Sequence, residues 1–115
     1  KYKDNVNQGQ EIITDVLVDY IKALTKPGVH AVVLDTLFAS ACIMSKKLWM
    51  ATEGLFAGRI AEAVREGGSM TIVHNCGNGV YFDIQMETMQ PVAISFAYTP
   101  DDCQGMPEAK EKWGH

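Results

Sequence analysis

Three short apolar runs, each separated from the next by a helix-length stretch, restrict the possible folds of this chain more than any other feature. They span residues 30–34, 70–74 and 92–96. The first, His30-Ala31-Val32-Val33-Leu34, is continuously apolar after its histidine, which predicts a strand buried on both faces. Ahead of it, Ile12, Ile13, Val16, Leu17, Tyr20, Ile21 and Leu24 form a helical stripe between Asn5 and Leu24, closed by Lys26-Pro27-Gly28. Ser45 is a candidate N-cap for one long helix reaching Glu66, with Leu48, Ala51, Leu55, Ile60 and Val64 on or near its inner face. Gly67-Gly68 ends that helix. Residues 80–89 predict a third helix, and residues 107–113 the first turns of another. Alternation of this kind predicts an α/β fold with parallel strands and right-handed crossovers. A closed eight-fold barrel takes about 250 residues, or roughly thirty per unit. The 115 residues here therefore hold about three βα units of a (β/α)8 TIM barrel. A small three-layer sandwich is the alternative, but the chain stops inside a unit at Trp113-Gly114-His115. The expectation is a partial barrel, with residues 1–115 forming a single, incomplete segment of the domain.

Composition removes several classes of function. Apolar residues make up 47% and charged residues 21%, which is an ordinary globular balance. The formal charge is −4 and the ten lysines and arginines are scattered, so no basic stripe offers itself to nucleic acid. No apolar run approaches a membrane span, and the opening KYKDNVNQGQ is not a signal peptide. Cys42, Cys76 and Cys103 show no paired spacing and read as thiols of a reducing compartment. A cytoplasmic protein is expected.

The second apolar run carries the chemistry. Thr71-Ile72-Val73-His74-Asn75-Cys76-Gly77-Asn78 ends in His-x-Cys-Gly, and side chains two apart on a strand share a face. Imidazole and thiolate are preferred ligands of zinc, so His74 and Cys76 make half of a tetrahedral metal site. Two ligands rarely hold zinc against water, and the isolated chain is expected to bind it weakly or not at all. The bland alternative is an imidazole bonded to backbone at a strand end beside a buried cysteine. Asp35, at the C-terminal end of the first strand, is a candidate wall of a substrate pocket, because barrel active sites form on that face. It could equally cap a turn together with Thr36 and Ser40. Asn75, Gly77 and Asn78 are expected to shape a tight turn that wants positive φ. The methionines Met44, Met50, Met70, Met86 and Met89 read as core filling. His30 reads as a cap of the preceding turn. No phosphate loop, no Ser-His-Asp set and no Cys-His nucleophile pair stands out, so no catalytic residue is assigned.

Taken in order, three stretches resemble one known family. Residues 30–35 with Phe38-Ala39-Ser40, then Met44-Ser45-Lys46-Lys47-Leu48-Trp49, then Ile72-Val73-His74-Asn75-Cys76-Gly77-Asn78 are similar to the uroporphyrinogen decarboxylase superfamily. Within it they resemble the methylcobamide:thiol methyltransferases of corrinoid-dependent methyl metabolism. The later Glu108-Ala109-Lys110-Glu111 and Gly114 are similar to the family's next helix. The resemblance runs from Gly28 to Gly114, about three-quarters of the chain. It implies a (β/α)8 barrel, a zinc ion that binds a small thiol of the coenzyme M type, and a methylated corrinoid protein as methyl donor. His74 and Cys76 match the first two zinc ligands. The third, a cysteine in a later loop, would lie beyond Trp113; Cys103 could substitute but stands outside the family's motif. Two other readings remain open. One is a metal-free, tetrapyrrole-directed decarboxylase, whose acidic and arginine residues would lie in a region this chain does not contain. The other is a non-catalytic fragment that forms a homo-oligomer through exposed sheet edges.

Overall fold

A computed structural model describes residues 2–114, and His115 lies outside the described residues. The elements are α1 (Lys3–Thr25), β1 (Ala31–Asp35), α2 (Lys46–Met50), α3 (Glu53–Glu66), β2 (Met70–Asn75), α4 (Phe82–Met89), β3 (Ala93–Phe96) and α5 (Met106–Trp113). The three strands form an open parallel sheet in the order β1-β2-β3. Each crossover steps one strand further in the same direction, the arrangement of a partial βα barrel.

The core sits on one face of the sheet. Val32 and Leu34 of β1 and Val73 of β2 meet Ile21 of α1, Ala57, Ala61, Ala63 and Val64 of α3, and Ile84 and Met89 of α4. Phe82 carries α5 onto this layer, with its ring centroid 4.9 Å from Phe96 and 5.4 Å from Trp113. The opposite face is bare: Val33 is 57% and Met70 48% exposed. The molecule is therefore only 18 Å through its thinnest axis, one sheet and one helical layer, which rules out the three-layer sandwich.

That single covered face corrects the expectation for the first strand. β1 is buried on alternate residues, not on both sides, and its continuous apolar run reflects a second face intended for a barrel interior. The same reason explains α1. Of its predicted inner stripe only Ile21 is buried, while Ile12, Ile13, Val16 and Tyr20 are each more than half exposed.

The long helix predicted from Ser45 is broken. Ser45 does cap a helix, its side chain accepting from Leu48 N at 3.3 Å, but that helix ends at Met50. Thr52, with φ −133° and ψ −102°, lies outside the helical region, and α3 starts at Glu53. The break rotates the apolar face: Trp49 is fully buried, whereas Leu48 and Leu55 of the predicted inner face are about half exposed, at 48% and 55%. The indole N–H of Trp49 donates to Glu53 Oε2 at 2.5 Å. Burial holds the Glu53 carboxyl above the usual carboxylate range, and the indole bond partly offsets this. Gly54 is required beneath the ring, since a Cβ there would come within 2.5 Å of the indole. Among the methionines, Met89 fills the core and Met44 packs against it, but Met50 and Met70 are exposed. His30 contributes its backbone carbonyl, which accepts from Met70 N at 2.9 Å.

Candidate active-site rim

The C-terminal ends of the three strands bring Asp35, His74 and Ser95 into one transverse row. Asp35 is the register partner of His74, and His74 of Ser95. All three stand on the bare face, because Leu34, Val73 and Ile94 alternate with them towards the helices. Neighbouring strands are about 4.8 Å apart, so the three side chains share a strip of surface that other groups can reach. Val33, Ile72 and Ala93 form an apolar row immediately below, as the successive layers of a barrel interior do.

His74 is half-buried, and its Nδ1 lies 3.0 Å from Ser95 Oγ. Its partner is thus a side chain on the next strand and not the backbone. Cys76 is exposed just past the end of β2. Between them Asn75, the last residue of β2, is fully buried. Neither His74 nor Cys76 is sealed in hydrocarbon. Among the described residues, however, no group of three or more His, Cys, Asp or Glu side chains is placed to hold a metal ion.

Cys103 does not complete the set. It lies in the loop after β3, with its thiol pushed up by burial and only partly offset by Lys112. Asp35 is exposed at the strand end, and the hydroxyls of Thr36 and Ser40 bond elsewhere. Thr36 donates to Gln85 Oε1 at 2.5 Å, and Ser40 donates to Asn78 O at 2.8 Å while lying 2.8 Å from Cys42 Sγ. Asp35 does border the groove of about 570 Å³ that runs between α1 and α3 along the outer edge of β1, beside Thr36, Glu53 and the apolar Ile13, Leu17 and Phe56.

Asn75 is the residue that sequence reading undervalued. Its Nδ2 donates to Thr36 O at 2.6 Å and Ala39 O at 3.4 Å, and its Oδ1 accepts from Gly77 N at 2.8 Å. One side chain therefore ties the loop after β1 to the loop after β2. Ala41 N–H to Gly79 O (2.8 Å) and Tyr81 N–H to Ala39 O (3.0 Å) continue the stitching. The expected positive φ falls on Gly79, at 62°, and not on Asn75, Gly77 or Asn78. Gly77 is needed for proximity instead: a Cβ there would stand 2.9 Å from Ser40 Oγ. Ser95 was also unforeseen, since its partnership with His74 depends on a register that one strand cannot reveal.

The Nε2 of His74 has no partner among the described residues, and the thiol of Cys76 is open to solvent on the same rim. No helix of the described residues is long and apolar enough to cross a membrane. Compared with known proteins, residues 1–114 match the family model described as uroporphyrinogen decarboxylase (URO-D). No curated protein and no solved structure matches the chain.

Proposed function

We propose that this chain, which belongs to the uroporphyrinogen decarboxylase family, forms part of the rim of a barrel enzyme that moves a methyl group from a methylcorrinoid protein to a small thiol. The observation that supports this branch over a metal-free decarboxylase is the outward pair His74 and Cys76, separated by the buried Asn75 at the end of β2. His74 through Nε2 and Cys76 through its sulfur would hold zinc. Zinc bound there would supply the positive charge that keeps a substrate thiol ionised at neutral pH. Asp35 would line the acceptor pocket, one strand away from His74. Asn75 would keep the two ligand-bearing residues at their strand-end positions. The remaining ligands would come from outside the described residues, so the chain by itself is a half-site and should bind metal weakly.

Cobalt(II) titration tests this on the chain as it stands. A thiolate-to-cobalt absorption band is expected at high metal concentration, lost in Cys76→Ser and weakened in His74→Ala. A band that survives Cys76→Ser would end the zinc reading.

A second reading rests on the open sheet. Among the described residues β1 and β3 each pair on one side only, and Ile13 and Tyr20 of α1 are exposed beside β1. Uncovered edges invite pairing, so self-association of the chain would cover them. Light scattering at the mass of one 12.7 kDa chain would exclude it.

A further inference from the structure

We propose that the open edge of β1, beside α1, is a docking site for an extended peptide segment that lies along the strand, is apolar at every second residue and brings a lysine or arginine to the end near Asp35. This goes beyond the methyl-transfer reading and stands without it.

Along a strand, the N–H and C=O of one residue point to one side and those of the next residue to the other. His30 O accepts from Met70 N at 2.9 Å and Thr36 N donates to His74 O at 3.0 Å, so the even-numbered residues of β1 face β2. Ala31, Val33 and Asp35 therefore turn their backbone groups to the open edge, where no backbone partner is recorded for them among the described residues. An extended backbone satisfies such a row at once, which is how sheet edges capture peptides. Beside the edge runs the groove of about 570 Å³. Ile13 and Leu17 of α1 are exposed on one wall and Phe56 and Ile60 of α3 stand on the other, so alternate side chains of an incoming segment would meet hydrocarbon. A partner of the length of β1, five residues, spans about 16 Å. One end of the groove is rich in acceptors. Asn7 Nδ2 donates to Ala51 O at 3.3 Å, which sets the first turns of α1 beside the start of α3. Gln10, Asp35 and Glu53 line the groove there, and Gln10 Oε1 is buried without a partner. Among the described residues no lysine, arginine or histidine lines the groove, so a complementary cation has to come with the occupant.

The probes are capped hexapeptides alternating valine and threonine, with a lysine at one end or at the other so that both strand directions are covered. Binding is read by amide hydrogen exchange in NMR spectra. With at least one lysine peptide at saturation, exchange at Val33 and Asp35 should slow by about tenfold or more, while Val32 and Leu34, already turned to β2, change little. Glutamate in place of that lysine should weaken binding about fivefold. Val33→Pro removes an edge N–H at a position where proline is tolerated, and should abolish binding. Ile13→Asp, on the exposed wall of the groove, should do the same with the fold retained. Failure of both lysine peptides to slow Val33 and Asp35, or binding that survives Val33→Pro or Ile13→Asp, overturns the proposal. Equal binding of the glutamate peptide does so as well. If those amides are protected in the free chain and lose protection on dilution, the occupant is a second copy of the chain and a separate peptide is excluded.

Discussion

Trp49→Ala is expected to cost about 4 kcal/mol of folding stability, the loss typical of emptying a large aromatic site in a packed core. Trp49 is fully buried at the junction of α2 and α3, in the cluster that includes Ala57, Ala61, Val73 and Met89. The surroundings have little scope to collapse into the vacated volume, because Ala39 and Ala61 present only methyl groups. A domain of this size has about 5–15 kcal/mol in hand, so the variant should be near its folding limit. The loss should also depend on pH. Burial already holds the Glu53 carboxyl above its unfolded value, and the Trp49 N–H is the interaction that pulls it back. Removing the indole raises the folded-state value further. The native state then binds more protons than the unfolded state over a wider window, and its stability falls as pH rises through that window. The deficit of Trp49→Ala relative to wild type should therefore be smaller in acid, where Glu53 is protonated, than at neutral pH. Urea unfolding at two pH values reads both effects; a midpoint that barely moves at neutral pH would refute the first.

Asn75→Ala should cost about 3 kcal/mol, and its effect should be felt at the rim first. The carboxamide makes three hydrogen bonds from a fully buried position. Each buried polar group left without a partner costs about 1–3 kcal/mol. The loss falls unevenly: Ala39 O keeps Tyr81 N–H and Thr36 O keeps Ala39 N–H as donors, whereas Gly77 N loses the side-chain partner recorded for it. Asn75→Asp should not rescue the site, because it replaces the donor towards Thr36 O with a carboxylate in a buried position. Amide hydrogen exchange at Gly77 should quicken more than exchange in the middle of β2, and the unfolding midpoint should fall with an unchanged slope. Uniformly raised exchange over the whole sheet would argue that Asn75 supports the core in general and not the pair of loops. Because His74 and Cys76 flank this residue, the same substitution should weaken any metal binding without removing either proposed ligand.

The legible and illegible parts of the chain divide along a physical line. The order of elements was readable because local periodicity reports local geometry. Ser45 as a cap, Gly67-Gly68 as a stop and Asp35 at a strand end all follow from rules that act within a few residues. The break at Thr52 was not readable, since residues 45–66 carry a helical pattern throughout and the interruption is tied to where the Trp49 ring packs. The exposure of Ile12, Ile13 and Val16 was equally hidden, because an apolar stripe states that a helix has a face to cover without stating what covers it.

At the rim the same division holds. His74 and Cys76 stood out as a pair because the two-residue period of a strand is a property of the backbone and needs no neighbour. Ser95, Asn75 and the true place of positive φ at Gly79 emerged only when strands were set side by side and loops were closed over one another. A sequence encodes which groups a segment offers and in what rhythm. Which distant groups meet depends on register and packing, and these arise from interactions across tens of residues that no local pattern contains.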